Sequence, residues 1–80
     1  MKIYSVLTDG FHLDNPVVSL FDSEDKAMAY VRECFDVWCS DNEPTDKTFP
    51  EPSETWDSLL FTFDDGYNNE WHYVTEQVIL

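Results

Sequence analysis

The chain predicts an α+β domain: one α-helix packed on a small, mostly antiparallel sheet of three to four strands, in the order β-(β)-α-β-β. Three observations lead there. The chain opens on a β-rich segment closed by Asp9-Gly10, it contains one long amphipathic stretch after Asp22-Ser23, and it ends in two aromatic-rich segments joined by turn residues. Residues 1–80 are read as a single domain.

Residues 2–8, Lys-Ile-Tyr-Ser-Val-Leu-Thr, are dense in β-formers, and Asp9-Gly10 supplies the stop. A loop is expected from Phe11 to Pro16, and then a short apolar strand over 17–21 that pairs with the first. Asp22 or Ser23 is placed to cap a helix, with Glu24 and Asp25 in the first turn, where the helix dipole favours negative charge. The helix is expected to run to about residue 39. Ala27, Tyr30, Val31, Cys34 and Trp38 recur at i, i+3, i+4 and form one apolar stripe, while Asp25, Arg32, Glu33 and Asp36 fall opposite.

Residues 40–55 change character, with three prolines and almost no apolar group except Phe49. A long acidic loop is expected, pinned to the body by Phe49; such connections in small domains are usually functional or mobile. Residues 56–63 and 70–80 read as strands joined by Asp64-Asp65-Gly66-Tyr67-Asn68-Asn69, whose chemistry suits a hairpin. Leu59, Phe61 and Phe63 share one face of the first. On the second, Trp71 and Tyr73 face one way and Val74, Val78 and Leu80 the other. Large apolar groups on both faces mean that this strand is central or that one face meets a second protomer.

Eighty residues give a modest core, but three Trp, four Tyr and six Phe supply large apolar area. Disordered acidic tails lack such residues, so a folded chain is expected. Seventeen Asp and Glu against four Lys and Arg leave a net charge of −13. A field of that sign argues against direct contact with nucleic acid or an anionic membrane. It serves solubility alone or reflects an acidic host proteome on one reading, and is kept for a partner rich in Lys and Arg on the sharper one. Cys34 and Cys39 are too few for a disulfide framework at this size. No apolar run approaches the roughly 18 residues of a membrane span, and nothing resembles a signal peptide. A cytoplasmic protein with reduced thiols is expected.

An enzyme is not expected. His12, in the first loop, and His72, between Trp71 and Tyr73, are the only imidazoles, and neither has a nucleophile frame beside it. Gly10 and Gly66 cannot build a phosphate loop. The run Asp64 to Glu70 lacks the oxygen spacing of a Ca²⁺ loop, and the Cys-x₄-Cys pair lies far from both histidines, so neither metal nor cofactor is expected.

Two features carry a resemblance. The Met1-Lys2-Ile3-Tyr4 strand leads to Phe21-Asp22-Ser23-Glu24-Asp25-Lys26-Ala27-Met28-Ala29-Tyr30-Val31, a strand-to-helix passage similar to that of many short phage proteins. Small size, strong acidity and no catalytic frame accompany it. Together they resemble the phage-encoded anti-CRISPR proteins, type I rather than type II. The resemblance implies a stoichiometric inhibitor acting in the bacterial host cytoplasm, as monomer or homodimer. Its partner would be a CRISPR–Cas effector, either Cascade or its nuclease, whose basic nucleic-acid surface it would occupy as a DNA mimic. Duplex DNA carries one charge per ~1.7 Å of axis, so mimicry needs many carboxylates. Asp36, Asp41, Glu43, Asp46, Glu51, Glu54 and Asp57 stand against the single Lys47, and Asp64, Asp65 and Glu70 add a cluster at the hairpin. These ten are the candidate partner-binding residues; the alternative interface is the apolar strand face around Trp71 and Tyr73. An immunity or antitoxin protein that neutralises a basic nuclease toxin would use the same physics, and a small dimeric phage accessory protein is a third reading.

Overall fold

The computed structural model describes residues 1–10 and 15–79. The expected loop from Phe11, with His12, and the facing of Leu80 fall outside these. The elements run β1 (Lys2–Gly10), β2 (Val17–Phe21), α1 (Glu24–Asn42), β3 (Ser53–Glu54), β4 (Ser58–Asp64) and β5 (Asn69–Val78). The chain is thus an α+β fold with one helix on one antiparallel sheet. The sheet has five strands where three to four were expected, in the order β2-β1-β5-β4-β3. The additional strand is a two-residue pairing, Ser53 with Leu60 and Glu54 with Leu59, inside the stretch expected to be loop. Pro50 and Pro52 just before it cannot donate to a ladder, which keeps that edge short.

The first and last strands form the centre. Nine residue pairs, from Lys2 with Val78 to Gly10 with Glu70, join β1 to β5. The expected pairing of β2 with β1 is present, with Ser19 opposite Val6. Period-two alternation sends Val6 and Thr8 of β1, Phe61 and Phe63 of β4, and His72 and Val74 of β5 toward the helix, where all are buried.

Ser23 is the N-cap, its hydroxyl accepting from the Lys26 N–H at 3.2 Å. Lys26 also pairs with Asp22 at 2.8 Å, one turn away, and holds the Asp22 carboxyl below the usual range. The helix extends three residues past the expected end and stops at Glu43, which adopts a left-handed conformation (φ 47°). Its buried residues are Ala27, Val31, Phe35, Trp38 and Cys39. Phe35 and Cys39 therefore join the stripe, while Tyr30 and Cys34 sit at its margin.

Aromatic rings make the core. Phe35 meets Phe63 at 5.0 Å and Phe49 at 5.4 Å between centroids, and Phe49 meets Phe61 at 5.4 Å, all tilted or edge-on. Phe49 does pin the loop after the helix, and the Arg32 guanidinium lies over its ring, 4.4 Å from the centroid. The strand before the hairpin starts at Ser58, not at residue 56: Trp56 is 99% exposed. Opposite the helix, the sheet face that carries Trp71 and Tyr73 has no second layer among the described residues.

Candidate functional site

Two parts of the surface concentrate negative charge. The first is the end of the fold where the helix stops. Helical spacing of four makes two neighbouring rows along α1: Tyr30, Cys34 and Trp38 in one, Glu33, Val37 and Asp41 in the next. Both rows face a cleft of about 530 Å³ that is closed on the sheet side by Glu70 of β5 and at its end by the hairpin turn. Carboxylates from Glu33, Asp41 and Glu70 surround it, and no basic residue lines it among the described residues. The helix carries no cation in its last turn, so Asp41 adds negative charge where the backbone carbonyls already supply it.

Trp38 belongs to the wall of this cleft and is 3% exposed. Its ring is held against Phe35 and Phe63. Its Nε1–H is buried and meets no acceptor among the described residues. Such an orphan donor costs about 1–3 kcal/mol. Burial pushes the Cys34 thiol up, so it stays protonated at neutral pH.

Below the cleft runs a chain of polar contacts. The Thr8 hydroxyl lies 2.9 Å from His72 Nδ1, and His72 Nε2 lies 3.0 Å from a Glu70 carboxylate oxygen. With Glu70 ionised, Nε2–H donates to it and Nδ1 accepts from Thr8. Hydroxyl, imidazole and carboxylate are in series, yet His72 is fully buried and Thr8 is 7% exposed. The arrangement satisfies a core histidine. Its signal in the sequence is the alternation that places Thr8 and His72 at facing positions of β1 and β5.

The second part is the loop after the helix. Asp36, Asp41, Glu43, Asp46, Glu51, Glu54, Asp57 and Asp64 are all exposed, and Asp65 and Glu70 are half-buried. They are not equivalent. Asp46 accepts from the Thr48 N–H at 2.9 Å, and its bonds with Thr48 hold its carboxyl below the usual range. Asp65 accepts from the Asn68 N–H at 2.6 Å and the Tyr67 N–H at 2.8 Å, which lower it likewise, and Asp64 accepts from Gly66 N–H at 2.7 Å. These three shape turns. Asp57 accepts from the Ser58 hydroxyl at 3.0 Å. The side chains of Asp36, Asp41, Glu43, Glu51 and Glu54 make no hydrogen bond or ion pair among the described residues.

The structure also separates what the sequence runs together. Asp41 and Glu70 share the cleft at the hairpin end, whereas Asp57 lines a groove at the other end of β4 with Glu24 and Glu76. Exposed Trp56 sits between Glu54 and Asp57. Sequence reasoning placed Glu33 among solvated residues and Trp56 in a strand; only three dimensions give them a lip and a loop tip. Among the described residues no group of three or more His, Cys, Asp or Glu could hold a metal ion, and no helix is long and apolar enough to cross a membrane.

Comparison with protein-family models, with curated proteins and with solved structures finds no match.

Proposed function

We propose that the protein is a stoichiometric inhibitor that occupies a basic nucleic-acid-binding surface of a protein partner. The partner of first choice is the nucleic-acid channel of a CRISPR–Cas effector. The observation that carries this reading is the set of exposed carboxylates with no hydrogen bond or ion pair among the described residues, Asp36, Asp41, Glu43, Glu51 and Glu54, on a chain of net charge −13. Guide-loaded effectors hold nucleic acid in positively charged channels through its backbone, so a rigid body displaying carboxylates competes for the same Lys and Arg side chains. Trp56 adds a large ring to this surface, and Trp is a residue type that dominates binding energy at interfaces and stacks on cations.

The test pairs purified effector complexes with the protein and measures target-DNA binding. One equivalent should block DNA binding, and association should slow as salt rises. Reversal of Glu43, Glu51 and Glu54 to Lys should slow association at least tenfold and leave circular dichroism unchanged. Asp46 is omitted because its carboxylate holds a turn. If the triple variant inhibits as well as the parent, or if binding ignores ionic strength, the loop serves solubility alone. Capture of a basic nuclease toxin instead of an effector would assign the same surface to an immunity protein.

A further inference from the structure

We infer that the β2 edge of the sheet is a self-association site, where β2 pairs antiparallel with β2 of a second copy to join two five-stranded sheets into one.

The two edges of the sheet differ in kind. At the β3 edge the strand is two residues long, Pro50 and Pro52 precede it, and Glu51, Glu54 and Asp57 lie in or beside it. Short length, proline and charge are the devices that keep an edge from templating another strand. The β2 edge has none of them. Val17–Phe21 is five residues long, contains no proline or charged residue, and runs opposite Thr8 to Tyr4 without a bulge. Among the described residues its other side has no ladder partner. Val17, Val18 and Leu20 are 48%, 60% and 65% exposed. A facing strand would find outward N–H and C=O groups together with apolar side chains.

Charge and closure identify the occupant as a second copy. On a chain of net charge −13, two copies repel wherever carboxylates face each other. β2 carries none, and Asp22 just after it is paired with Lys26 at 2.8 Å. A basic partner finds little to pair with there, whereas a copy presents the same neutral strand. A two-fold axis at Ser19 sets Val18 of one copy opposite Leu20 of the other. Ser19, the one polar side chain, shares the helix face with buried Val6, which leaves the open face of the seam apolar. Such pairing consumes the unguarded edge of both chains, so assembly stops at two. The guarded edges, with Glu51 and Glu54, lie at the far ends of the joined sheet.

Sedimentation velocity and amide hydrogen exchange on the full chain test this. A contact five residues a side is small, so micromolar affinity is expected. The dimer should tighten as NaCl rises, because salt screens repulsion between the bodies; capture of a basic partner weakens under the same change, which keeps the two readings apart. Amides on alternate residues of β2 should gain protection as the protein is concentrated. The double variant Val18→Lys, Leu20→Lys should weaken dimerisation at least tenfold and leave circular dichroism unchanged, since both positions are exposed. Thr62→Lys, on the open sheet face, and Ser53→Lys, at the other edge, should change it less than twofold. A single chain at every concentration and salt overturns the inference, as does a dimer whose β2 amides stay unprotected. Loss of the dimer in Thr62→Lys would move the contact to the sheet face and overturn it too.

Discussion

At the scale of single residues, this fold asks polar groups to enter a core made of rings. His72 shows how that is done: both ring nitrogens have a partner, one from the next strand and one from its own. Thr8→Val keeps the shape of the side chain and strands Nδ1 in a fully buried site. That should cost about 1–3 kcal/mol, read as a lower urea midpoint at unchanged slope. Trp38 shows the opposite condition, a buried donor left unanswered. From sequence, Trp38 is legible as a core ring because its position fits the helical period. That its Nε1–H would find no acceptor among the described residues depends on tertiary packing, and no spacing rule reports that. Likewise His72 is legible as structural, since it alternates with Trp71 and Tyr73, but its pairing with Thr8 crosses 64 residues.

At the scale of elements, α1 is the best-announced part of the chain. Cap, acidic first turn and apolar period agree, and Ser23 does cap it. Its end is harder to place, because Ser40, Asp41 and Asn42 carry no apolar period and Glu43 is not a usual left-handed residue. The short strand β3 is illegible for a related reason: two residues give no alternation to detect. Strands β1, β4 and β5 are legible from alternation, although β4 starts two residues late. A helix whose last turn holds Asp41 and no basic residue works against its own dipole. Asp41→Lys should therefore raise the thermal midpoint by the few degrees that about 0.3–1 kcal/mol brings, while it weakens capture of a basic partner. A gain in stability with no loss of binding would mean that Asp41 has no part in recognition.

At the scale of the whole molecule, the net charge of −13 acts as a diffuse strain on 80 residues. Two lysine–carboxylate pairs, Lys2–Glu76 at 3.1 Å and Lys26–Asp22 at 2.8 Å, are the relief found among the described residues. Both are exposed and contribute little. Screening within about 10 Å at 0.1 M salt should therefore raise the thermal midpoint between low and moderate NaCl. A flat or falling midpoint would mean the acids are compensated already. The sign and size of the charge are plain in the composition. Its division into a cleft at one end and a groove at the other is not, since Glu33, Asp41 and Glu70 meet only after the helix lies across β5.

The central ladder joins residues 2–10 to residues 70–78, and the backbone of Met1 bonds to that of Ile79 in both directions. Contacts of such long sequence separation set the order of events during synthesis. When α1 has left the ribosome, its apolar stripe has only β1 and β2 to lie on, and Phe61, Phe63, His72 and Val74 do not yet exist. The nascent chain must therefore keep an aromatic helix face soluble until β5 arrives. The carboxylates from Glu43 to Asp57 are made directly after that face and before the strands that cover it.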